Sequence, residues 1–196
     1  MIFKYAPFLT NSRLSYNYNN YKMGGIRVNK KFLESERLLL KPLSFDELQY
    51  INNNEIDNVE TPIELESILD SVKLAISKKL MKMQNINEDI HEWYTYWLII
   101  NKENQNGVGF IGFKGLLDID GYSEVGYSIS SNYRKKRFMT EALETLINWA
   151  YRFQGSKGIT AKVLKTNIGS IKVLNNCNFK LVSSTEQEHN YIIKFR

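Results

Sequence analysis

The segment from Glu124 to Phe179 constrains this 196-residue chain more than any other. It reads in order as a strand, EVGYSIS, and a basic turn running into an amphipathic helix, NYRKKRFMTEALETLINWAYRF. A second strand, GITAKVLKTN, and a second helix, IGSIKVLNNCNF, follow. A helix between two strands carries the chain back to begin the second strand beside the first, so the pair runs parallel. The first helix places Ala142, Leu143, Leu146, Ile147 and Ala150 on one face and stops near Gly155. Its start lies behind a strand and four consecutive bases, Arg134, Lys135, Lys136 and Arg137. Free N–H groups and the macrodipole make such a helix start a site for anions, and phosphate is the natural occupant.

The flanking sequence is organised differently. Ser44-Phe45-Asp46-Glu47 is a capping box, and Thr61-Pro62-Ile63-Glu64 reads as another with Pro at the first helical position. The second of these helices is expected to run through Leu65, Ile68, Leu69, Val72, Ile76 and Leu80, with Lys78, Lys79 and Lys82 at its C-terminal end. Residues 93–101 read as a strand, 102–106 as a polar turn and 107–117 as the next strand, which makes an antiparallel meander. KLVSS and NYIIKF form a final hairpin. The pattern predicts one α/β domain from residue 31 to residue 196, with a mixed sheet of about seven strands. The sheet is mostly antiparallel with one parallel pair, and about four helices flank it. Residues 1–30, rich in Asn and Tyr, are set apart as an extension that docks on the core or on a partner. Met23-Gly24-Gly25 offers an alternative start.

Composition excludes several classes. At 43% hydrophobic and 24% charged residues the body has an ordinary globular balance and folds on its own core. No apolar run approaches the ~18 residues of a membrane span, and no signal peptide is read. The single cysteine, Cys177, excludes an internal disulfide, fits a reducing, cytoplasmic setting and suits a buried helix position better than a reactive thiol. His91 and His189 stand apart, so neither a zinc site nor a Cys-His nucleophile is expected, and no metal. Trp93, Trp97 and Trp149 are read as core. The net charge is +5, but residues 42–72 carry eight acids and no base. The basic run has no interleaved aromatics and no nucleic-acid motif around it, so a nucleic-acid partner is disfavoured.

An ordered set of short motifs resembles the acyl-CoA core of the GNAT superfamily of N-acetyltransferases, and within it the ribosomal-protein N-terminal acetyltransferases. The set is Glu36-Arg37-Leu38-Leu39-Leu40, Gly109-Phe110-Ile111-Gly112, Glu124-Val125-Gly126-Tyr127, Tyr133-Arg134 leading into Thr140-Glu141-Ala142-Leu143, and Asn167-x-x-Ser170-x-x-Val173-Leu174 ending at Phe179. The resemblance implies that the parallel pair is splayed and that acetyl-CoA is the acyl donor. A small-molecule or peptide amine is then the acceptor, and a homodimer is left open. Two departures stand out. The pyrophosphate loop of the family has small residues where this chain has Arg137 and Met139, and often Gly where it has Lys135. If the loop keeps its usual path, Arg137 and Met139 point away from the phosphates and a non-Gly residue takes φ > 0. The family's Gly-Phe after the last helix is Asn178-Phe179, and Asn preserves a left-handed cap.

Acetyl transfer to an amine needs a donor site, a base for the ammonium proton and a donor to the thioester oxygen. By the resemblance, Ile129, Ser130 and Ser131 pair with the pantetheine, and the Ile129 N–H faces the oxyanion. The diphosphate lies over Arg134, Lys135, Lys136, Arg137, Phe138, Met139 and Thr140. Glu124 is the candidate base, against a strand-end carboxylate with no catalytic part. Asn167 bonds the pantetheine, and Ser170 is the candidate acid where many relatives place a Tyr at the position of Leu174. Both also suit plain helix capping. Glu141, in a first helical turn, reads as structural. The altered loop keeps a second reading open, a non-catalytic acyl-CoA-binding module. The acids of residues 42–72 point to a cationic acceptor.

Overall fold

The computed structural model describes residues 18–23 and 26–195, with side chains from residue 32 onward. An antiparallel hairpin of β1 (Tyr18–Met23) and β2 (Ile26–Lys31) forms a sheet of its own. The rest of the expected extension, residues 1–17 together with Gly24 and Gly25 of the alternative start, lies outside the described residues.

Eight strands make the main sheet: β3 (Leu33–Glu34), β4 (Leu38–Pro42), β5 (Trp97–Asn101), β6 (Gly107–Phe113), β7 (Tyr122–Ile129), β8 (Gly158–Leu164), β9 (Lys180–Ser184) and β10 (Glu188–Lys194). Their order is β3-β4-β5-β6-β7-β8-β10-β9, and β7–β8 is the parallel pair. The two-residue β3 adds an edge to the expected seven strands. One face packs against α1 (Phe45–Asn52) and α2 (Asp70–Met83), the other against α3 (Phe138–Ala150) and α4 (Ile168–Asn176).

Alternation along β6 and β7 sorts their side chains between the two faces. Phe113 and Val125 enter the core under α3, with Ala142, Leu143 and Leu146. Phe110 enters the other core, with Leu48, Ile51, Val72 and Ile76. Period-2 strands between two apolar helix layers produce this division.

The capping box at Ser44 forms in full: its side chain accepts from the Glu47 N–H, and Glu47 reaches back to the Ser44 N–H. The second expected box does not form. Ile63 makes a parallel bridge to Gly107 instead, and the Glu64 N–H bonds the Gly107 carbonyl. A 3₁₀ turn spans Leu65–Ser67, and α2 starts at Asp70 without a side-chain cap. Leu65 and Leu69 are therefore exposed, while Val72, Ile76 and Leu80 are buried as the stripe required. Trp93 closes a 3₁₀ turn, Glu88–Trp93, so the fifth strand is shorter than expected. Trp93, Trp97 and Trp149 are all core, and Trp149 packs against both of the others. Asn178 takes φ 63° after α4, the left-handed cap that the Gly-to-Asn departure anticipated. No helix among the described residues is long and apolar enough to cross a membrane.

Candidate active site

β7 and β8 part company early. Their parallel pairing covers Tyr122↔Gly158, Ser123↔Ile159 and Glu124↔Thr160, and stops. β7 stays on β6 as far as Ile129, and β8 stays on β10 as far as Leu164. A fork opens between Val125–Ile129 and the end of β8.

The backbone of β7 is polarised across this fork. The Glu124 carbonyl accepts from the Lys114 N–H (2.8 Å), and the Ser130 N–H donates to the Val108 carbonyl (2.9 Å). Both point at β6. Antiparallel ladders alternate, so Gly126 and Ser128 point there too, while the N–H and C=O of Val125, Tyr127 and Ile129 face the fork. Ile129 thus presents a backbone donor to the opening. Ser130 does not, since its N–H is spent on Val108 and its side chain accepts from the Asn132 N–H. Ser131 is exposed in the 3₁₀ turn Ser131–Tyr133 that carries the chain away.

The turn into α3 keeps a left-handed path without glycine. Lys135 has φ 62° and Arg137 φ 63°, with Arg137 as the N-terminal cap residue. Arg134, Lys135, Lys136 and Arg137 are exposed, and Phe138, Met139 and Thr140 are buried. Met139 points into the core, so only its backbone is left for a ligand. No side chain caps α3, and its first backbone bond runs from the Glu141 N–H to the Arg137 carbonyl. The N–H groups of Phe138, Met139 and Thr140 lie ahead of it, directed out of the helix start.

Arg37 braces this turn from β4's approach. Its Nε donates to Glu141 Oε2 (2.7 Å), its backbone N–H to Glu141 Oε1 (2.8 Å), and a terminal guanidinium nitrogen to the Lys136 carbonyl (3.1 Å). The Ser35 hydroxyl also donates to Glu141 Oε1, and the guanidinium lies 4.5 Å from the Phe138 ring centroid. Partial burial works against the Glu141 charge, but the bonds from Arg37 and Ser35 outweigh it and hold the carboxyl below its ordinary range. Glu141 has the structural part expected of it.

Across the fork, Asn167 caps α4 by accepting from the Ser170 N–H (3.1 Å). Ser170 is half-buried, and Leu174 is fully buried. Tyr127 reaches over from β7 and donates its hydroxyl to the Ser170 carbonyl (3.3 Å). Burial pushes this phenol well above its usual range, so it stays protonated. Cys177 is buried against the Thr140 carbonyl, and burial pushes its thiol up to about 12. It is not a nucleophile.

Glu124 is the last paired residue before the fork, on the α1/α2 face. Its carboxylate meets Lys114 Nζ at 2.5 Å; the glutamate side chain is 21% exposed and the lysine 59%. Lys82 donates to the Lys114 carbonyl (2.7 Å). Lys79 is buried nearby, donating to the carbonyls of Tyr94, Thr95 and Phe113 and lying 4.5 Å from the Tyr96 ring centroid. Burial, then the charges of Lys82 and Lys114, push its ammonium down to about 7. Of the acids in residues 42–72, Glu47 and Glu60 pair with Lys41, and Glu64 bonds Asn106 and Tyr133. Asp46, Glu55, Asp57, Glu66 and Asp70 are exposed. Among the described residues no three of His, Cys, Asp and Glu gather as metal ligands would.

The motifs contain Arg37 and Tyr127 without marking a role for either, and no sequence signal is read at Lys114. Lys114 was within reach of such a reading: β6 and β7 form a hairpin, and one step from the Phe113↔Val125 pair sets Lys114 opposite Glu124. Arg37 and Tyr127 act over long separations that no local pattern encodes.

A family model described as an acetyltransferase (GNAT) domain matches residues 37–180. The uncharacterized N-acetyltransferase YjdG of Bacillus subtilis (strain 168) is 37% identical over 94 residues, 47% of this chain and 56% of that protein. The chain spans about half the length of the curated relatives it matches. RimL, a ribosomal L7/L12 alpha-N-protein acetyltransferase, superposes with a TM-score of 0.63 at 13% identity, covering 90% of this chain and all of that one. The microcin C7 self-immunity acetyltransferase MccE, solved with acetyl-CoA and AMP, superposes with a TM-score of 0.55 at 17% identity, covering 82% of this chain and 94% of that one. At these identities the structural likeness is one of fold.

Proposed function

We propose, because the chain belongs to the acetyltransferase (GNAT) domain family, that it transfers an acetyl group from acetyl-CoA to a primary amine by direct attack in a ternary complex. The observation that carries this reading is the fork. A strand edge with unpaired N–H groups at Tyr127 and Ile129 ends beside an uncapped helix start behind four bases. Such an edge suits the amides of a pantetheine arm, and such a helix start suits its diphosphate.

In the reaction the amine nitrogen forms a bond to the thioester carbon, and the C–S bond breaks with its electron pair on sulfur. The oxygen charge that develops on the way is met by the Ile129 N–H. Glu124 takes the ammonium proton through water, because about 16 Å of strand separates it from Ile129, and its carboxylate must exchange Lys114 for that water. The attacking nitrogen sheds its second proton as the intermediate collapses, and Ser170, beside the Tyr127 hydroxyl, is first in line to relay it to the leaving thiolate. Asn167 and residues Arg134–Thr140 hold the donor.

The relatives named N-acetyltransferases favour catalysis over a silent acyl-CoA-binding module, and the loop's backbone supports the donor binding that both require. The unusual residues at 135 and 137 leave the left-handed path intact. The exposed acids of α1 and its following loop favour a cationic acceptor, such as a polyamine or a peptide N-terminus. The test is thiol release from acetyl-CoA across a panel of amines, beside a thermal-shift titration. The expected results are release with at least one cationic amine and a melting temperature that climbs with acetyl-CoA. No shift at millimolar acetyl-CoA would overturn the reading.

A further inference from the structure

We propose that the bare stretch of β7 at Gly126, between Glu124 and Ser128, is the slot through which the acceptor amine reaches the fork, and that the missing side chain there limits the acceptor's size. The inference rests on the acetyltransferase reading above. It concerns the α1/α2 face of the sheet, where alternation places Glu124, Gly126 and Ser128 in a row.

A Cβ built on Gly126 meets no heavy atom within 4 Å. The glycine directly opposite on β6, Gly112, is its contrast. A Cβ there would lie 2.5 Å from the Thr95 carbonyl oxygen and 3.3 Å from the Tyr96 Cα. The Thr95–Tyr96 backbone therefore covers β6 and leaves the neighbouring surface of β7 open. Gly126 is not in the left-handed region, so its backbone does not call for glycine. Glycine weakens a strand interior, and its presence there commonly marks the close approach of something else.

The two flanking side chains suit an amine. The Glu124 carboxylate stands on one side, and on the other the Ser128 Oγ is buried without a hydrogen-bond partner. Same-face positions are about 7 Å apart along a strand, so an amine entering over Gly126 passes the Glu124 carboxylate on one side, while the Ser128 Oγ, shielded from solvent on the other, accepts from it only by turning toward the slot. The opposite face offers no such approach, since Val125, Tyr127 and Ile129 pack there under the α3 and α4 core.

The test uses a bisubstrate probe, CoA with –CH2–C(O)–NH–hexyl on its sulfur, beside CoA itself. Dissociation constants are measured by calorimetry for the wild type, Gly126→Ala, Gly126→Val and Ser128→Ala. CoA is expected to bind all four alike. The probe should bind the wild type roughly ten-fold or more tighter than CoA, and that advantage should shrink in Gly126→Ala and Ser128→Ala and vanish in Gly126→Val. The melting temperature of Gly126→Ala should hold or rise, which separates a blocked slot from a damaged fold. A full advantage retained in Gly126→Val, or none in the wild type, overturns the slot. Failure of CoA itself to bind the wild type brings down the acetyltransferase reading, and the slot with it.

Discussion

The two sides of β7 are built from different materials. Toward β8, α3 and α4, the candidate donor region is backbone: N–H groups at Tyr127 and Ile129 and at the start of α3, aimed by φ and ψ. Toward α1 and α2, the candidate acceptor region is side chains: Glu124, Ser128, Lys114 and the buried Lys79. A backbone site depends on the path of the chain and tolerates unusual residues along it. This is how Lys135, Arg137 and Met139 occupy a loop for which the family resemblance implied small residues, at the cost of two left-handed non-glycines. A side-chain site has no such latitude.

The largest expected effect tests whether the two sides separate at all. Glu124→Gln should lower kcat by roughly 10²–10⁴-fold, with relief at high pH, and leave the dissociation constant of acetyl-CoA unchanged. A matching loss of donor affinity would merge the two regions into one. Arg37→Met is the converse. It frees the Lys136 carbonyl and strands Glu141, so donor affinity should drop roughly ten-fold while kcat at saturating donor holds. The stability it removes also has a pH signature. A carboxyl held below its ordinary value stabilises the fold above about 4.5 and loses that contribution as pH falls. The gap in melting temperature between Arg37→Met and wild type should therefore narrow in acid.

Lys79 sharpens the contrast on the side-chain face. Its ammonium titrates near 7 in the folded chain and near 10.5 when unfolded. Between those values the unfolded chain binds more protons, so denaturation experiments should find stability rising with pH across that window. Lys79→Met should abolish the slope, and by orphaning three carbonyls it should cost about 1–3 kcal/mol at neutral pH. An unchanged slope would mean that the lysine is not the group titrating. Arg137→Gly, on the backbone side, should raise stability by about 1 kcal/mol through relief of the left-handed strain, with donor affinity preserved. Weaker donor binding in that variant would show that the Arg137 side chain, and not only the path, serves the site. The smallest effect is steering: kcat/KM for a cationic amine should exceed that for a matched neutral amine by a few-fold at low salt, and the ratio should shrink over a Debye length of about 8–10 Å as salt is added.

Local pattern was legible where local energetics decide. The stripe on α3, the Ser44 capping box and the left-handed Asn178 are each fixed by neighbours within one or two turns of chain. The Thr61 box failed because its segment found a better partner elsewhere. Ile63 gained a bridge to Gly107, and Glu64 turned to Asn106 and Tyr133, contacts more than forty residues distant. In the candidate site, the motif order located the fork and the turn into α3. It did not reveal that Ser130 faces β6, because ladder phase is set by pairing. Nor did it reveal that Arg37 braces the turn across some hundred residues of chain.

The order β8-β10-β9 gives synthesis a direction problem. β9 leaves the ribosome before β10, yet its one neighbour in the sheet is β10. Until β10 emerges, β9 has no strand to pair with, and β8, the far wall of the fork, has an open edge along residues 158–164. A nascent chain that has already made α3, the basic turn and most of its core thus still lacks a braced wall for the donor. Competence to bind acetyl-CoA should come late in synthesis and as a step. In that interval two unpaired strand edges are the part of the molecule most exposed to pairing with a neighbour.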